Sequence, residues 1–252
     1  MGLSNMIRRL SYPHKKTAWK YFIDDPRLVF GMAGTSTKGH VGSVIERIFD
    51  ADMITCLHSF LPQDLQDRIE EEDYRDREGY RLLLHLLVRK WKPDVVIETG
   101  VARGLSSAYI LAAMRENNRG RLISIDLPPK DASVGDEGDP KYLLEDGQKH
   151  LDYEIGHFVP DSLRDRWTLV LEDSMVALPR ILEEEGQIDF FYHDSLHTNE
   201  HMRFEYEAAW PYIKEGGLLL SDDVLWSNAY HDFAKKHKRK QVIYRSFGMI
   251  KK

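Results

Sequence analysis

A short apolar strand, two glycines and a helix, together spanning residues 94–114, constrain the fold most strongly. Residues 95–97 form a β-branched apolar run, the kind that suits a strand buried on both faces of a parallel sheet. Gly100 and Gly104 follow, and apolar residues then recur at helical spacing. Because glycine lets the backbone turn tightly and approach a ligand closely, this unit predicts a strand, a glycine turn and a helix with free N–H groups at its start.

Two familiar nucleotide-binding loops fit this turn poorly. A phosphate-binding loop ends in Gly-Lys followed by Ser or Thr, whereas Gly104 is followed by Leu105. The dinucleotide fingerprint needs a middle glycine, but position 102 is alanine. The next acidic strand end, Asp126, also lies farther along the chain than the roughly 20 residues that this fingerprint expects. These residues alone do not exclude the alternative that this is an ordinary α/β turn that binds no ligand.

Strands and helices alternate from residue 94 onward. Further apolar runs occur at residues 121–126, 168–171, 187–194 and 218–223, and two short runs follow in 241–252. Segments with helical periodicity separate most of these runs. This order predicts an α/β fold, a Rossmann-like doubly wound and mostly parallel seven-stranded sheet with an antiparallel last strand.

The chain is expected to divide into two parts. Residues 1–77 are interpreted as an N-terminal extension of helices and loops, and residues 78–252 as the α/β domain. Within that domain, residues from about 130 to 160 are rich in Gly, Asp and Lys, and they are longer than a usual connection in a compact domain. This segment is interpreted as an insert that carries substrate contacts, or else as a disordered one.

Composition excludes several classes of protein. The hydrophobic share of 42% is enough for a core, and a net charge of −6 argues against a dedicated nucleic-acid binder. The single cysteine, Cys56, excludes an internal disulfide and a multi-cysteine metal site. Nothing in the sequence approaches a membrane span in length. We therefore expect a soluble cytoplasmic protein, and homo-oligomerisation is left open.

Three aspartates follow two of the predicted strands. Asp194 ends the fourth strand, and Asp222 and Asp223 end the fifth. If these strands are neighbours, their ends lie roughly 5 Å apart, and carboxylates that close repel each other unless a proton or a cation intervenes. An all-oxygen cluster favours a hard ion such as Mg²⁺. Three separate helix caps are the structural alternative.

Three histidines lie near the first of these aspartates. His197 is three residues past Asp194, where a half-turn would bring its imidazole back toward the acidic cluster. An imidazole with a pKa near neutrality suits accepting a proton from a substrate hydroxyl. His193 should point to the other face of its strand and pack there. His201 is interpreted as a supporting or a surface residue.

The ordered set of motifs resembles one family. Residues 192–198 and 209–224, together with the glycine turn at 94–104, look like class I S-adenosylmethionine-dependent methyltransferases. The resemblance is to the group that includes metal-dependent macrolide-sugar O-methyltransferases and cephalosporin hydroxylase-like proteins. It covers roughly residues 78–250.

This resemblance implies a site and a reaction. The metal, Mg²⁺ or another hard divalent cation, would be held by Asp194, Asp222 and Asp223, and His197 would act as the base. The acceptor would be a hydroxyl of a small molecule such as a sugar or a natural product. Implied contacts to S-adenosylmethionine are Glu98, Thr99, Gly100, Gly104, Ser106, Asp126, Asp173, Ser174 and Asp194.

Three other functions are weighed against this one. The first is a methyltransferase that needs no metal, in which the aspartates only order loops. The second is a dinucleotide-binding oxidoreductase, against which the missing middle glycine counts. The third is a binding module without catalysis, against which the intact set of acids and histidine counts. The acceptor itself is not indicated by any sequence pattern.

Overall fold

The computed structural model describes residues 61–71, 80–128 and 154–252. The helices of these ranges are α1 (Gln63–Glu71), α2 (Tyr80–Trp91), α3 (Leu105–Asn117), α4 (Ser174–Glu185), α5 (Asn199–Ala209) and α6 (Ala229–Lys236), with a short 3-10 helix at Asp161–Arg166. The strands are β1 (Val95–Thr99), β2 (Arg121–Asp126), β3 (Trp167–Leu171), β4 (Ile188–His193), β5 (Ile213–Ser221), β6 (Gln241–Tyr244) and β7 (Phe247–Lys251).

The seven strands of the described ranges form one sheet in the order β3-β2-β1-β4-β5-β7-β6. Strands β3, β2, β1, β4 and β5 pair in parallel, and β7 is antiparallel to both β5 and β6. The sequence predicted a doubly wound, mostly parallel seven-stranded sheet with an antiparallel last strand, and this prediction is confirmed. The strand order reverses between β1 and β4, and ligands of such sheets bind beyond the carboxyl ends of the strands at this switch point.

The central strands are apolar on both faces because helices cover both sides of the sheet. In β1, Val96 joins the core beneath α2 and α3, whereas Ile97 joins the core beneath α4, α5 and α6. Phe190 and Phe191 divide in the same way in β4. This alternation follows from the two-residue period of a strand, and it explains why these runs read as continuously hydrophobic.

Part of the predicted N-terminal extension belongs to the same core as the α/β domain. Leu65 and Ile69 of α1 are buried in the cluster that α2 and α3 share with the sheet. The predicted boundary at residues 77 and 78, Cys56 and most of the predicted insert lie outside the described residues, so those expectations stay predictions. None of the helices that the structure describes has both the length and the apolar character needed to cross a membrane.

Candidate functional site

The turn after β1 depends on three residues in the left-handed region. Gly100, Ala102 and Gly104 have φ angles of 82°, 48° and 81°. A Cβ atom at Gly100 would lie 1.9 Å from the carbonyl oxygen of Asp194, so no other residue fits there without moving the backbone. Ala102 adopts the left-handed conformation at the position where the dinucleotide fingerprint has its middle glycine. The turn therefore forms without that glycine, although with backbone strain of about 1 kcal/mol.

Asp126, one of the residues implied to contact S-adenosylmethionine, holds the glycine turn in place. Its Oδ2 accepts hydrogen bonds from the backbone N–H groups of Val101 (2.9 Å) and Ala102 (2.8 Å), and its Oδ1 accepts one from Leu127 (2.7 Å). An ionised carboxylate offers about four lone-pair directions. About one acceptor position is therefore left for a ligand hydroxyl.

A segment from the end of the predicted insert packs against the same turn. The N–H of Gly156 donates to the carbonyl of Ala102 (2.9 Å), and the N–H of Phe158 donates to that of Arg103 (2.7 Å). A Cβ at Gly104 would lie 2.7 Å from the Cα of Gly156, so the two glycines allow the close approach. The described end of this insert thus braces the turn.

Glu98, predicted to contact the cofactor, is fully buried behind the turn. Its carboxylate accepts hydrogen bonds from the hydroxyls of Ser106 (2.6 Å), Ser107 (2.6 Å) and Ser124 (2.7 Å). Burial raises the pKa of Glu98 above its usual value. These three hydrogen bonds join β1, α3 and β2 through the Glu98 carboxylate.

Asp173 and Ser174 lie where β3 leads into α4. The carboxylate of Asp173 caps this helix by accepting a hydrogen bond from the N–H of Met175 (2.8 Å). The hydroxyl of Ser174 lies 3.0 Å from Nε2 of His201. Leu171 and Met175 flank the pair and are 45% and 49% exposed. Apolar and polar groups are thus both available at the carboxyl end of β3.

Asp194 and Asp222 come together at the tips of β4 and β5. His193 and Ser221, the residues before them, are paired across the two strands, and the N–H of Asp222 donates to the carbonyl of His193 (2.9 Å). Burial, followed by the nearby charge of Asp222, raises the pKa of Asp194 well above that of an ordinary aspartate. The sequence predicted that these neighbouring strand ends would bring three carboxylates together, and two of them, Asp194 and Asp222, lie close enough for their charges to interact.

Asp223 is placed differently. It adopts a left-handed φ of 47°, and its N–H donates to Oδ1 of Asp222 (2.8 Å). Among the residues that the structure describes, no three His, Cys, Asp or Glu side chains are grouped so that they could hold a metal ion. The sequence suggested a cluster of three carboxylates, whereas the structure shows a close pair, Asp194 and Asp222.

His197 lies beside this pair. Its Nε2 is 3.9 Å from Oδ1 of Asp194, and its side chain is 16% exposed. Burial, followed by the neighbouring His193, lowers the pKa of His197 to about 4. The imidazole is therefore neutral near pH 7 and can accept a proton. Nε2 is buried and has no hydrogen-bond partner within the described part of the chain.

Three side chains at the site were not indicated by the sequence. The hydroxyl of Tyr192 donates to Oδ2 of Asp194 (2.9 Å), and the hydroxyl of Tyr80, the first residue of α2, is hydrogen-bonded to Asp222. The positive charge of Arg81, the next residue of α2, acts on Asp194 and lowers its pKa, against the larger effect of burial. No local sequence pattern places the first turn of α2 beside the tip of β4.

His193 packs as predicted but has a further role. It is fully buried, and its ring lies edge-on to those of His197 (centroids 5.2 Å apart) and Tyr206 (5.4 Å). Its Nδ1 also lies 2.6 Å from Oε2 of Glu205, a buried carboxylate of α5. Nothing in the sequence pattern of α5 indicated this pair.

The sequence model of a family described as a methyltransferase domain matches residues 97–224. This chain belongs to that methyltransferase family. The matched residues begin in β1 and end just past Asp223, so they contain the glycine turn, both acidic strand ends and His197. The family and the fold together make the chain a class I S-adenosylmethionine-dependent methyltransferase, and the resemblance stated from the sequence is confirmed.

Individual relatives of this methyltransferase are distant. The mycinamicin VI 2''-O-methyltransferase of Micromonospora griseorubida is 28% identical over 91 residues, which cover 36% of this chain and 23% of that protein. The chain thus aligns with about a quarter of that relative's length.

Two solved structures share its fold. A methyltransferase of Podospora anserina bound to S-adenosylhomocysteine (SAH) matches with a TM-score of 0.51 at 15% identity, over 76% of this chain and 88% of that chain. A TDP-rhamnose 3'-O-methyltransferase, an enzyme of calicheamicin biosynthesis, matches with a TM-score of 0.50 at 17% identity, over 86% of this chain and 96% of that chain.

Replacing Gly100 by alanine should destroy the turn. The added Cβ would strike the backbone of Asp194, and the left-handed φ would be strained as well, so we expect the free energy of unfolding to fall by about 3 kcal/mol or more. Binding of SAH should be lost with it. Chemical denaturation and calorimetric titration with SAH measure the two effects.

Ala102→Gly is the matched control in the same turn. It relieves left-handed strain but adds chain entropy to the unfolded state, so we expect the free energy of unfolding to change by no more than about 1 kcal/mol. SAH should still bind. Equal effects of Gly100→Ala and Ala102→Gly would contradict the close approach that the structure shows.

Proposed function

We propose that this methyltransferase transfers a methyl group from S-adenosylmethionine to a hydroxyl of a small molecule, a sugar or a natural product, with the assistance of a divalent cation. The observation that carries the proposal is the neutral imidazole of His197 beside the paired carboxylates of Asp194 and Asp222. The choice of acceptor is supported by the names of two similar proteins, one a mycinamicin VI 2''-O-methyltransferase and the other a TDP-rhamnose 3'-O-methyltransferase.

The cofactor is proposed to lie across the carboxyl ends of β1, β2 and β3, as ligands do at a switch point. Its direct contacts would come from residues at these ends and at the tip of β4, namely Gly100, Gly104, Asp126, Asp173, Ser174 and Asp194. Glu98, Thr99 and Ser106 are buried and bonded to other side chains, so we propose that they support the turn from inside.

The chemical step needs alignment and removal of one proton. S-adenosylmethionine carries its own leaving group, a positively charged sulfonium. Nε2 of His197 would take the proton of the acceptor hydroxyl while the oxygen attacks the methyl carbon and the carbon–sulfur bond breaks. The products are a methyl ether, neutral SAH and a protonated His197, which returns its proton to solvent. The protein's contribution is to hold oxygen, methyl carbon and sulfur in line.

The acidic pair suits a hard cation by its chemistry. Carboxylate oxygens are the ligands that Mg²⁺ prefers, and a cation between Asp194 and Asp222 would relieve the repulsion that, together with the larger effect of burial, raises the pKa of Asp194. Such an ion, when bound, lowers the pKa of a hydroxyl that it contacts. We propose that Asp194 and Asp222 hold it, with Asp223 as the third candidate ligand.

The strongest rival is a methyltransferase of the same class that needs no metal. One observation favours it, because both carboxylates already have partners in the protein. Tyr192 donates to Asp194, Tyr80 is bonded to Asp222, and the charge of Arg81 acts on Asp194. In this alternative the two aspartates order the loops, and His197 still acts as the base.

The acceptor is proposed to rest on the exposed side chains after β5. Leu225 and Trp226 are 63% and 60% exposed, and the ring of Trp226 lies 5.8 Å from that of His197. An aromatic ring at the rim of a site offers a large apolar face on which a ligand can pack. Screening nucleotide sugars, macrolide glycosides and simple polyols with isotope-labelled S-adenosylmethionine would identify the acceptor by the labelled methyl ether formed.

His197→Ala should abolish methyl transfer and leave the cofactor site intact. Loss of a general base costs about 10²- to 10⁴-fold in rate, whereas SAH affinity should stay close to that of the wild type. The assay is transfer of labelled methyl to the acceptor found above, with calorimetry for SAH. His231→Ala, which removes a histidine of α6 that bonds Gln241, should change neither quantity. A loss of SAH binding as large as the loss of transfer would make His197 structural.

Titration with Mn²⁺ separates the metal-assisted mechanism from its rival. If the proposal holds, the wild-type protein binds one Mn²⁺, as followed by electron paramagnetic resonance, and Asp194→Asn and Asp222→Asn each weaken binding by about tenfold or more. Asp223→Asn tests whether a third carboxylate takes part. Methyl transfer that continues at full rate after exhaustive chelation would support the metal-independent enzyme instead.

A further inference from the structure

The buried carboxylate of Glu205, in α5, contacts four polar side chains next to the proposed site. Glu205 is 0% exposed, and no sequence pattern indicated a functional role for it. Its Oε2 accepts a hydrogen bond from the hydroxyl of Thr99 (2.6 Å) and lies 2.6 Å from Nδ1 of His193. Its Oε1 accepts one from the hydroxyl of Ser195 (2.9 Å) and lies 2.9 Å from Nε2 of His201.

These four partners flank the residues of the proposed site. Thr99 directly precedes Gly100 of the glycine turn, while His193 and Ser195 directly precede and follow Asp194. His201 also contacts Ser174, the first residue of α4. A single side chain thus connects the end of β1, both sides of the tip of β4 and the start of α4.

The turn and the tip that Glu205 connects are already in direct backbone contact. The N–H of Asp194 donates to the carbonyl of Thr99 (2.8 Å), and the Cα of Gly100 faces the carbonyl of Asp194 with no room for a side chain. One of these segments is proposed to hold the methyl donor and the other the base. Their relative position therefore sets the distance between the methyl carbon and the acceptor oxygen, to which transfer is sensitive on the scale of 1 Å.

The charge of Glu205 is compensated by its neighbours. Burial alone would raise its pKa, but the charge and hydrogen bond of His193, together with His201, lower the pKa below its usual range. A buried carboxylate is stable only when it is paired and hydrogen-bonded in this way. An ionised carboxylate accepts hydrogen bonds at both of its oxygens. Glu205 needs both, because it has four partners from three segments.

The arrangement is not that of a hydrolytic triad. In such a triad the serine and the acid bond opposite nitrogens of the histidine, whereas Ser174 and Glu205 both approach Nε2 of His201. The three side chains therefore do not have the order of a triad, in which the histidine lies between the serine and the acid. What remains for the cluster is the placement of the segments that it joins.

We infer that Glu205 is a positioning residue of the methyl-transfer site, which fixes the glycine turn against the Asp194–His197 loop through Thr99, His193 and Ser195. This role rests on the proposed function, because it is the placement of donor and base that makes the connection matter. It acts through hydrogen bonds to those three residues, without touching cofactor or acceptor.

The test uses variants that remove the connection in parts. Glu205→Gln keeps the shape but removes the charge and one acceptor oxygen, Thr99→Val removes only the contact to the turn, and Ser195→Ala removes only a contact to the loop. Tyr206→Phe, at the next position of α5, is the matched control, because it removes one buried hydrogen bond, to Ser221 (2.6 Å), and none to Glu205.

SAH affinity is measured by calorimetry well below the melting temperature of each variant, which thermal denaturation supplies. Thr99→Val and Glu205→Gln should weaken SAH binding by about tenfold. Tyr206→Phe should bind SAH with the wild-type affinity, even if its melting temperature falls as far as those of Thr99→Val and Glu205→Gln. Imidazole ¹⁵N spectra add a second readout, since Glu205→Gln should shift the ring signals of His193 and leave those of His231 unchanged.

The outcomes separate this inference from the proposed function. A wild-type protein that does not bind SAH would refute the cofactor site and the positioning role with it. A wild-type protein that binds SAH, with Glu205→Gln and Thr99→Val binding equally well, would refute the positioning role alone. If Tyr206→Phe loses as much SAH affinity as Glu205→Gln, the effect comes from general destabilisation of the fold, and the positioning role of Glu205 is refuted. If Glu205→Gln does not fold, unchanged affinity in Thr99→Val overturns the inference.

Discussion

The close approach of the turn after β1 to the tip of β4 is the constraint on which the rest of the site depends. Gly100 lies against the carbonyl of Asp194 so closely that even a methyl group is excluded, and the neighbouring backbone N–H of Asp194 bonds to Thr99. This contact exists because β1 and β4 are adjacent and parallel at the point where the strand order reverses. It brings the loop that a methyl donor would occupy within reach of the residues that would prepare the acceptor.

Two buried glutamates support this contact from opposite faces of the sheet. Glu98 joins the turn to α3 and β2 through three serine hydroxyls, and Glu205 joins it to β4 and α5 through hydroxyls and histidines. A carboxylate taken out of water costs several kcal/mol unless it is fully hydrogen-bonded. Both glutamates meet that condition, since Glu98 has three hydroxyl partners and Glu205 has two hydroxyl and two imidazole partners.

Much of the fold could be predicted from sequence because its signals are local. β-Branched runs, glycine stops and helical spacing lie within a few residues of one another, and they predicted the alternating order and the terminal hairpin. Acidic residues at strand ends could be placed as well, since parallel neighbours bring such ends to one edge. Glu205 could not be found in this way, because its partner Thr99 lies 106 positions away and its helix carries many other charges. The left-handed conformation of Asp223 was likewise not indicated by the sequence.

Methyl donor and base are proposed to meet between the glycine turn and the Asp194–His197 loop. A crystal structure of the protein with SAH tests it most directly, because the sulfur atom marks where the methyl group departs. We expect the homocysteine portion to lie along the turn at Gly100, the ribose hydroxyls at Asp126 and the sulfur to face the imidazole of His197. SAH bound elsewhere, or with its sulfur turned away from His197 and the acidic pair, would contradict the account.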